Sequence, residues 1–591
     1  MPAAKNTSQK GRLIQLETSL GKDKLIPLKI SGHEGLSTLF RYTLEVFSDT
    51  EHNLEPKKLI GTEVSFAIQQ PDKARTLRYF HGYVDSLVET GSYSQDNSKS
   101  TYSLTVVPWL DLLGKTSNCR IFQDKTIPKI IEEVFAKHSF KKALSKKLTQ
   151  PHPDHAYVVQ YHETDLAFVE RLMRREGIAY YFTHEKTKHT LNLIDDGSKL
   201  PEITPSTVML QHSSVDENHL TIWEHSSKQV TGTYRQSAYN YKKPAKAQKL
   251  NDGKSVKGEA SKIPNSVTLE HYDYNTEYTK TGEGTNNTQL RNDETTARFR
   301  TINASGNSRF LKAGHIFKLD VIPAKSKHAD RNKEFAIIDV EWTAIDNSHM
   351  SQSTHENAVS FRVNIEAIPK GGLIFPEATA APRIEGMQTA IVNGPPGAEI
   401  HTDKRGRIQA QFHWDERSKG TRNGSTTCWL RVMQSMSGSG FGSHFTPRIG
   451  QEVVVAFENG NPDRPFVLGA LYNEENPPPF ISEKGTRNGY KSRSTKGGQS
   501  SNFNEMSFED KKGKEQVYIH AEKDFDVKVK HNQAHIIDND LTYKVGNNEK
   551  HKVANEIVME AGKKILLKVG GSTITIDGSS ITIKAGTVNI N

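Results

Sequence analysis

The chain closes on Lys564-Ile565-Leu566-Leu567-Lys568-Val569-Gly570-Gly571-Ser572-Thr573-Ile574-Thr575-Ile576-Asp577-Gly578-Ser579-Ser580-Ile581-Thr582-Ile583-Lys584-Ala585-Gly586-Thr587-Val588-Asn589-Ile590-Asn591. Its aliphatics alternate: Ile565, Leu567 and Val569, then Ile574 and Ile576, then Ile581 and Ile583, then Val588 and Ile590. Lys, Thr and Asn stand between them, and Gly570-Gly571, Asp577-Gly578 and Ala585-Gly586 break the runs. A period of two places each set on one face of a short strand. Burying such a side chain is worth about 1.5–3 kcal/mol, and a stack of short strands cannot cover its own face. These nine residues are therefore expected to form the core of an obligate β oligomer. The alternative is the apolar border of an ordinary antiparallel domain; against it, no helical pattern follows to cover the sheet.

Upstream, 481–503 is rich in Gly, Ser, Lys and Asn and reads as a flexible linker. Before it, Met387 to Tyr472 reads as a compact β unit cut by Gly394-Pro395-Pro396-Gly397, Asp403-Lys404-Arg405-Gly406 and Gly438 to Gly442. An Ala/Thr-rich segment between Pro376 and Pro382 separates that unit from the N-terminal half. There, Tyr42, Leu44 and Val46, the run Arg78 to Val84, and Tyr102, Leu104 and Val106 predict strands. Two helices interrupt them. One starts after Thr126, with Ile130, Ile131, Val134 and Phe135 at helical spacing; the other runs from Thr164 to a stop at Gly177. Residues 206–370 read as short strands again, broken by a polar stretch from Lys242 to Pro264.

The 591 residues exceed what one core supports, so several domains are expected. Net charge is +9, but acidic and basic residues are interspersed, as in Glu522 to Lys530, and no basic stripe marks a nucleic-acid surface. Two cysteines, Cys119 and Cys428, exclude a disulfide scaffold and a four-cysteine zinc site. Mean hydropathy is −0.65 and Met1 to Gln15 is polar, so neither a membrane helix nor a signal peptide is expected.

Chemical motifs fail one by one. Gly114-Lys115-Thr116 and Gly253-Lys254-Ser255 end like phosphate loops, but Trp109 and Gln248 occupy the position of the first glycine. In His162-Glu163-Thr164-Asp165-Leu166 a leucine stands where a zincin has its second histidine; Glu163 and Asp165 read instead as acids favouring a helix N-terminus. The pairs His152/His155 and His531/His535 read as chance spacings among 24 histidines. No catalytic, cofactor or metal residues are assigned.

Several long, ordered motifs run along nearly the whole chain. They are Phe40-Arg41-Tyr42, Val107-Pro108-Trp109-Leu110, Cys119-Arg120-Ile121-Phe122-Gln123, Tyr161-His162-Glu163-Thr164-Asp165 and Glu176-Gly177-Ile178-Ala179-Tyr180-Tyr181-Phe182. Later come Asp403-Lys404-Arg405-Gly406-Arg407-Ile408, Phe412-His413-Trp414-Asp415, Trp429-Leu430-Arg431-Val432, Pro447 to Val453 and Glu458 to Pro465. Together these motifs resemble the VgrG family (valine–glycine repeat protein G), the spikes of type VI secretion, related to hub and spike proteins of contractile phage tails, and the resemblance implies a mainly β, multidomain chain. Residues 1–380 would be a phage-hub-like base of two β-barrel-like subdomains with helical insertions, and 381–475 an oligosaccharide/oligonucleotide-binding (OB) fold barrel. A linker at 476–505 and a trimeric triple-stranded β-helix needle at 506–591 would follow. It implies a homotrimer seated on a hexameric tube protein, baseplate components around it, a PAAR-repeat tip protein docked on Thr587, Val588, Asn589, Ile590 and Asn591, and effectors or adaptors as cargo. The chain would be made in the cytoplasm without a signal peptide, assembled on the baseplate, then secreted or injected. No cofactor, enzyme activity or specific nucleic-acid partner is implied. Phe412 and Trp414 read as barrel core, not base-stacking platforms. No lysozyme-like domain fits between barrel and needle, and the repeat still runs at Asn591, so no fused toxin is expected. Alternatives are a wall-degrading or other enzyme with an atypical hub site, and a prophage tail spike.

Overall fold

The computed structural model describes residues 8–48, 54–92, 100–211, 218–242, 244, 252–274, 281–323, 326–348, 359–377, 380–416, 427–480 and 485–590. Twelve strands of the N-terminal half share one sheet. From one end they run Ile14–Glu17, Glu63–Gln69, Leu77–Ser92, Ser100–Val107, Thr38–Ser48 and Ile26–Gly35. The order then crosses to Glu334–Asp346 and continues through Ile316–Val321, Glu202–Leu210, His219–Ser227, Arg300–Gly306 and Val359–Pro369. Val359–Pro369 pairs back onto Glu334–Asp346, so the second six strands close into a barrel.

The two halves meet along Ile26–Gly35 and Glu334–Asp346, which pair antiparallel. The predicted alternation holds beside this seam: Tyr42, Leu44 and Val46 are all fully buried. Tyr42 lies 5.8 Å from Trp342 between ring centroids, and Phe66 stacks on Phe80 at 4.8 Å. Gly32 pairs opposite Trp342, and a Cβ there would lie 2.3 Å from the indole, so the backbone must be bare for the ring to fit. The indole N–H donates to Glu34 Oε1 at 3.0 Å, which also accepts from Arg78.

Both expected helices form. α1 is Ile127–Ala136, where Thr126 Oγ1 accepts from the Lys129 amide; its buried face is Ile127, Ile130, Ile131, Val134 and Phe135. α2 is Asp165–Glu176, capped by Thr164 and ended by Gly177 at φ +70°. A third helix, α3 (Thr281–Phe299), lies where only strands were read. Its apolar contacts are few, Leu290, Ala297 and Phe299, and polar groups share the packing. Thr288 and Asn292 are fully buried, and the Asn292 side-chain amide donates to the Ser255 carbonyl at 2.7 Å. Such a face leaves no hydrophobic period to detect. Gly253-Lys254-Ser255 is part of the strand Asp252–Ser255, and Gly114-Lys115 of the turn Asp111–Lys115, so neither opens a helix as a phosphate loop does.

The barrel unit pairs Gln409–Phe412, Gln388–Asn393, Glu452–Phe457 and Pro465–Leu471 in that order. Ala390, Val392, Ile408, Ala410, Phe412, Leu430, Val453, Val455 and Val467 make its core. Phe412 is buried and Trp414 stacks on it at 5.1 Å, as read. The segment read as flexible linker differs. Arg487–Lys491 is a strand on Glu505–Glu509, which in turn pairs with Gln516–His520; Arg487 Nη2 donates to the buried Glu505 carboxylate at 2.7 Å. Linker composition hid it because its order comes from partners in later sequence.

Candidate trimer surface and hub–barrel joint

From 521 to 563 the described chain has no assigned strand and is almost wholly exposed. Then Lys564–Val569, Ser572–Asp577 and Ile581–Lys584 form an antiparallel meander. Its first turn is the two-residue loop Gly570-Gly571 between the paired Val569 and Ser572, with Gly570 at φ +53°. In the second, the Asp577 carboxylate accepts from the Ser579 and Ser580 amides, both at 2.9 Å, which holds it below the usual carboxylate range.

The register sets Ile565 opposite Ile576, Leu567 opposite Ile574, Ile574 opposite Ile583 and Ile576 opposite Ile581. Six of the nine aliphatics thus share one face, with Val569 at its hairpin end. Among the described residues nothing covers that face: Leu567 is 53% exposed, Ile581 69% and Val569 83%. Thr587, Val588, Asn589 and Ile590 lie past the last strand, with Ile590 exposed, and Asn591 lies outside the described residues. The sequence reading began the repeat at Ile565 and missed its earlier course. Gly546, Ala554, Gly562, Gly570, Gly578 and Gly586 recur every eighth residue. Val545, Val553, Ile557, Val558 and Met559 in the same stretch are exposed, like the later aliphatics. That eight-residue spacing was the available signal.

A second assembly of residues ties the hub to the barrel. Ile121 and Val159, from strands beside the helices, and Tyr157 just before the second of them pack into the barrel's core. Asp463 Oδ1 accepts from the Val159 amide at 2.7 Å and Oδ2 from Arg175 at 3.4 Å. Tyr161 hydroxyl and Trp414 indole both bond Gln388, at 2.7 and 2.9 Å. Behind Arg175, Glu176 takes His155 Nε2 at 2.8 Å and His152 Nδ1 at 3.3 Å, while His152 Nε2 reaches Asp195 at 3.3 Å. Burial alone would raise the Glu176 carboxyl, but the two imidazoles bring it down to about 2. His152 is raised in return, mainly by its bond to Glu176. The histidine pair read as chance spacing is thus half of an ion-pair chain.

Asp165 carries more than a helix-terminal charge. Its fully buried carboxylate accepts from Asn118, Arg120, Gln160 and His138 at 2.8–3.1 Å. Burial raises it, and these donors outweigh burial and lower it. Glu163 is held by Arg171 at 3.0 Å. The Tyr161 to Asp165 motif is therefore a structural knot between helix, strands and barrel.

Three family matches divide the chain: phage tail baseplate hub over 33–348, type VI secretion system/phage-baseplate injector OB domain over 398–472, and bacteriophage T4 gp5 C-terminal trimerisation domain over 488–588. Pseudomonas aeruginosa type VI secretion spike proteins VgrG1b and VgrG1c are 34% and 35% identical, each over 89% of this chain and 69% and 71% of their own lengths. The Vibrio cholerae actin cross-linking toxin VgrG1 is 30% identical over 84% of this chain, which spans 44% of that protein. A type VI secretion component of E. coli, described as similar to T4 tail proteins gp27 and gp5, superposes with TM-score 0.52 at 21% identity, over 76% of this chain and 97% of its own. A Francisella PdpA–VgrG complex superposes with TM-score 0.53 at 10% identity, over 86% of this chain and 80% of the matched one. With hub, OB barrel and trimerisation segment in this order, and a third of its residues shared along most of its length, the chain belongs to the VgrG family of type VI secretion spike proteins.

Proposed function

We propose that three copies of this chain wind their C-terminal segments into one triple-stranded β-helix, the needle of a spike at the tip of a contractile injection apparatus. The observation that carries it is the aliphatic face from Ile565 to Ile583, registered on one side of a sheet and bare in the single chain. Intertwining buries that face, supplies ladder partners to the extended run at 521–563, and leaves no free sheet edge. Such a needle is stiff because unfolding one strand means unthreading two others.

We assign the hub to about 1–380, the OB barrel to 381–475 and the needle to 506–591, with part of 476–505 folded onto the needle's base. In operation the hub trimer seats on the hexameric tube within the baseplate, and Thr587 to Asn591 dock a PAAR-repeat tip protein. Effectors ride on partners; the Francisella structure, a PdpA–VgrG complex, is an instance of a similar fold holding a second protein. The chain's own part is mechanical, not enzymatic: the buried Asp165 and the partly buried Glu176 and Asp463 are committed to ion pairs that hold parts together. Made in the cytoplasm, it leaves the cell through the apparatus.

Light scattering tests the central claim. A 66.2 kDa chain gives a trimer of three times that, 198.6 kDa. The full-length protein should have the trimer mass and a version ending at Asn476 should not hold it. A stable full-length monomer would overturn the reading.

A further inference from the structure

The outer face of the hub seam carries a cluster that spike mechanics does not use. His33 lies on Ile26–Gly35, and Asp339 and Glu341 on Glu334–Asp346. The register sets His33 opposite Glu341 and Gly35 opposite Asp339, so all three side chains project on the side away from the Gly32–Trp342 contact. His33 Nε2 lies 2.7 Å from Asp339 Oδ1, and one donor atom of each residue falls within 4.8 Å of the other two. All three sit on paired strands, so the donors are held by the sheet and not by loops.

An ordinary surface ion pair accounts for His33 and Asp339 but not for Glu341. With a protonated imidazole the cluster carries one positive and two negative charges, a net −1. Replacing that proton by a divalent cation makes it neutral. One imidazole nitrogen and two carboxylate oxygens suit a borderline transition cation, with bonds of about 2.0–2.2 Å, better than magnesium or calcium, which take oxygen. His33 and Glu341 also line a groove of about 720 Å³, together with Arg41, Thr343 and Arg362. The groove leaves a fourth coordination position for water or an acidic group steadied by the two guanidiniums.

We propose that His33, Asp339 and Glu341 form a divalent transition-metal site, with zinc as the fitting ion, that clips the two halves of the hub across their seam.

Calorimetric titration of zinc into tag-free, chelator-treated full-length protein tests this. One saturable equivalent per chain is expected. His33→Ala and Glu341→Gln should each weaken it by about tenfold or more, since even outer-sphere changes cost that much. Zinc should also raise the thermal unfolding temperature of the parent and not of His33→Ala, and excess magnesium should not displace it. Absence of saturable binding by folded parent protein would overturn the proposal. So would binding unchanged in both variants, which would put the zinc on other histidines. Displacement by magnesium would overturn the transition-metal assignment.

Discussion

The hub seam and the C-terminal meander use the same pattern and reach opposite states. Tyr42, Leu44 and Val46 alternate with polar residues and are sealed by Phe66, Phe80 and Trp342 from elsewhere in one chain. Ile574 and Ile576 alternate just as regularly, yet stand 40% and 38% exposed in the single chain. Periodicity therefore states which face is apolar and says nothing of what covers it. In the hub the cover is intramolecular, fixed by strands some 300 residues apart. In the tail none of the described residues supplies it, and in the proposed trimer the neighbouring copies do.

The sharpest way to break this comparison is to charge the bare face. Ile574→Asp with Ile576→Asp should place six carboxylates in a trimer core and abolish the 198.6 kDa species in light scattering, three times the 66.2 kDa chain. A variant that stays trimeric would show that the core lies elsewhere.

Next in size, Asp165→Asn strips the charge from a buried site while Arg120 remains. Breaking a buried pair in this way costs about 3–5 kcal/mol. A matching drop in stability from urea unfolding of the hub is expected, with trimerisation through the tail intact. If trimer and hub failed together, the two regions would not be independent.

The hub–barrel joint should respond to pH more mildly. Glu176 is lowered from 4.5 to about 2, so its contribution is complete above pH 4.5 and fades as pH falls towards 2. His152 is raised from 6.5, so its contribution is complete below pH 6.5 and is lost as pH climbs through the raised value. Hydrogen exchange at the Val159 amide, corrected for intrinsic rates, should be slowest between pH 4.5 and 6.5. Glu176→Gln should flatten the acid limb.

The smallest effect belongs to the end of the chain. Deleting Thr587 to Asn591 removes residues beyond the last strand, so trimer mass should be unchanged while capture of a PAAR-repeat protein weakens. Unweakened capture would move the docking surface away from the terminus.

Local signals read well wherever geometry depends on neighbours in sequence. The helix starts at Thr126 and Thr164, the helix stop at Gly177 and the break at Gly570-Gly571 each rest on a few adjacent residues. The family motifs were legible for the same reason, being long and ordered. What failed depended on distant partners. Helix α3 hides because Asn292 and Thr288 pack through hydrogen bonds and not through an apolar stripe. The strand Arg487–Lys491 hides in linker composition because Glu505 and Ser507 order it from outside. Asp165 looked like a dipole charge until Arg120, Asn118, Gln160 and His138 converged on it.

By itself the sequence determined which residues share an apolar face, in hub and tail alike, and where helices stop. Those properties follow from period, cap and turn chemistry, which act over a few residues. Tertiary structure alone decided that one twelve-stranded sheet joins the two hub halves, that His33 meets Asp339 across 306 positions, and that His152, His155, Glu176, Arg175 and Asp463 form one chain of charge. Burial and pairing between remote segments set those contacts, and no short window of sequence encodes them.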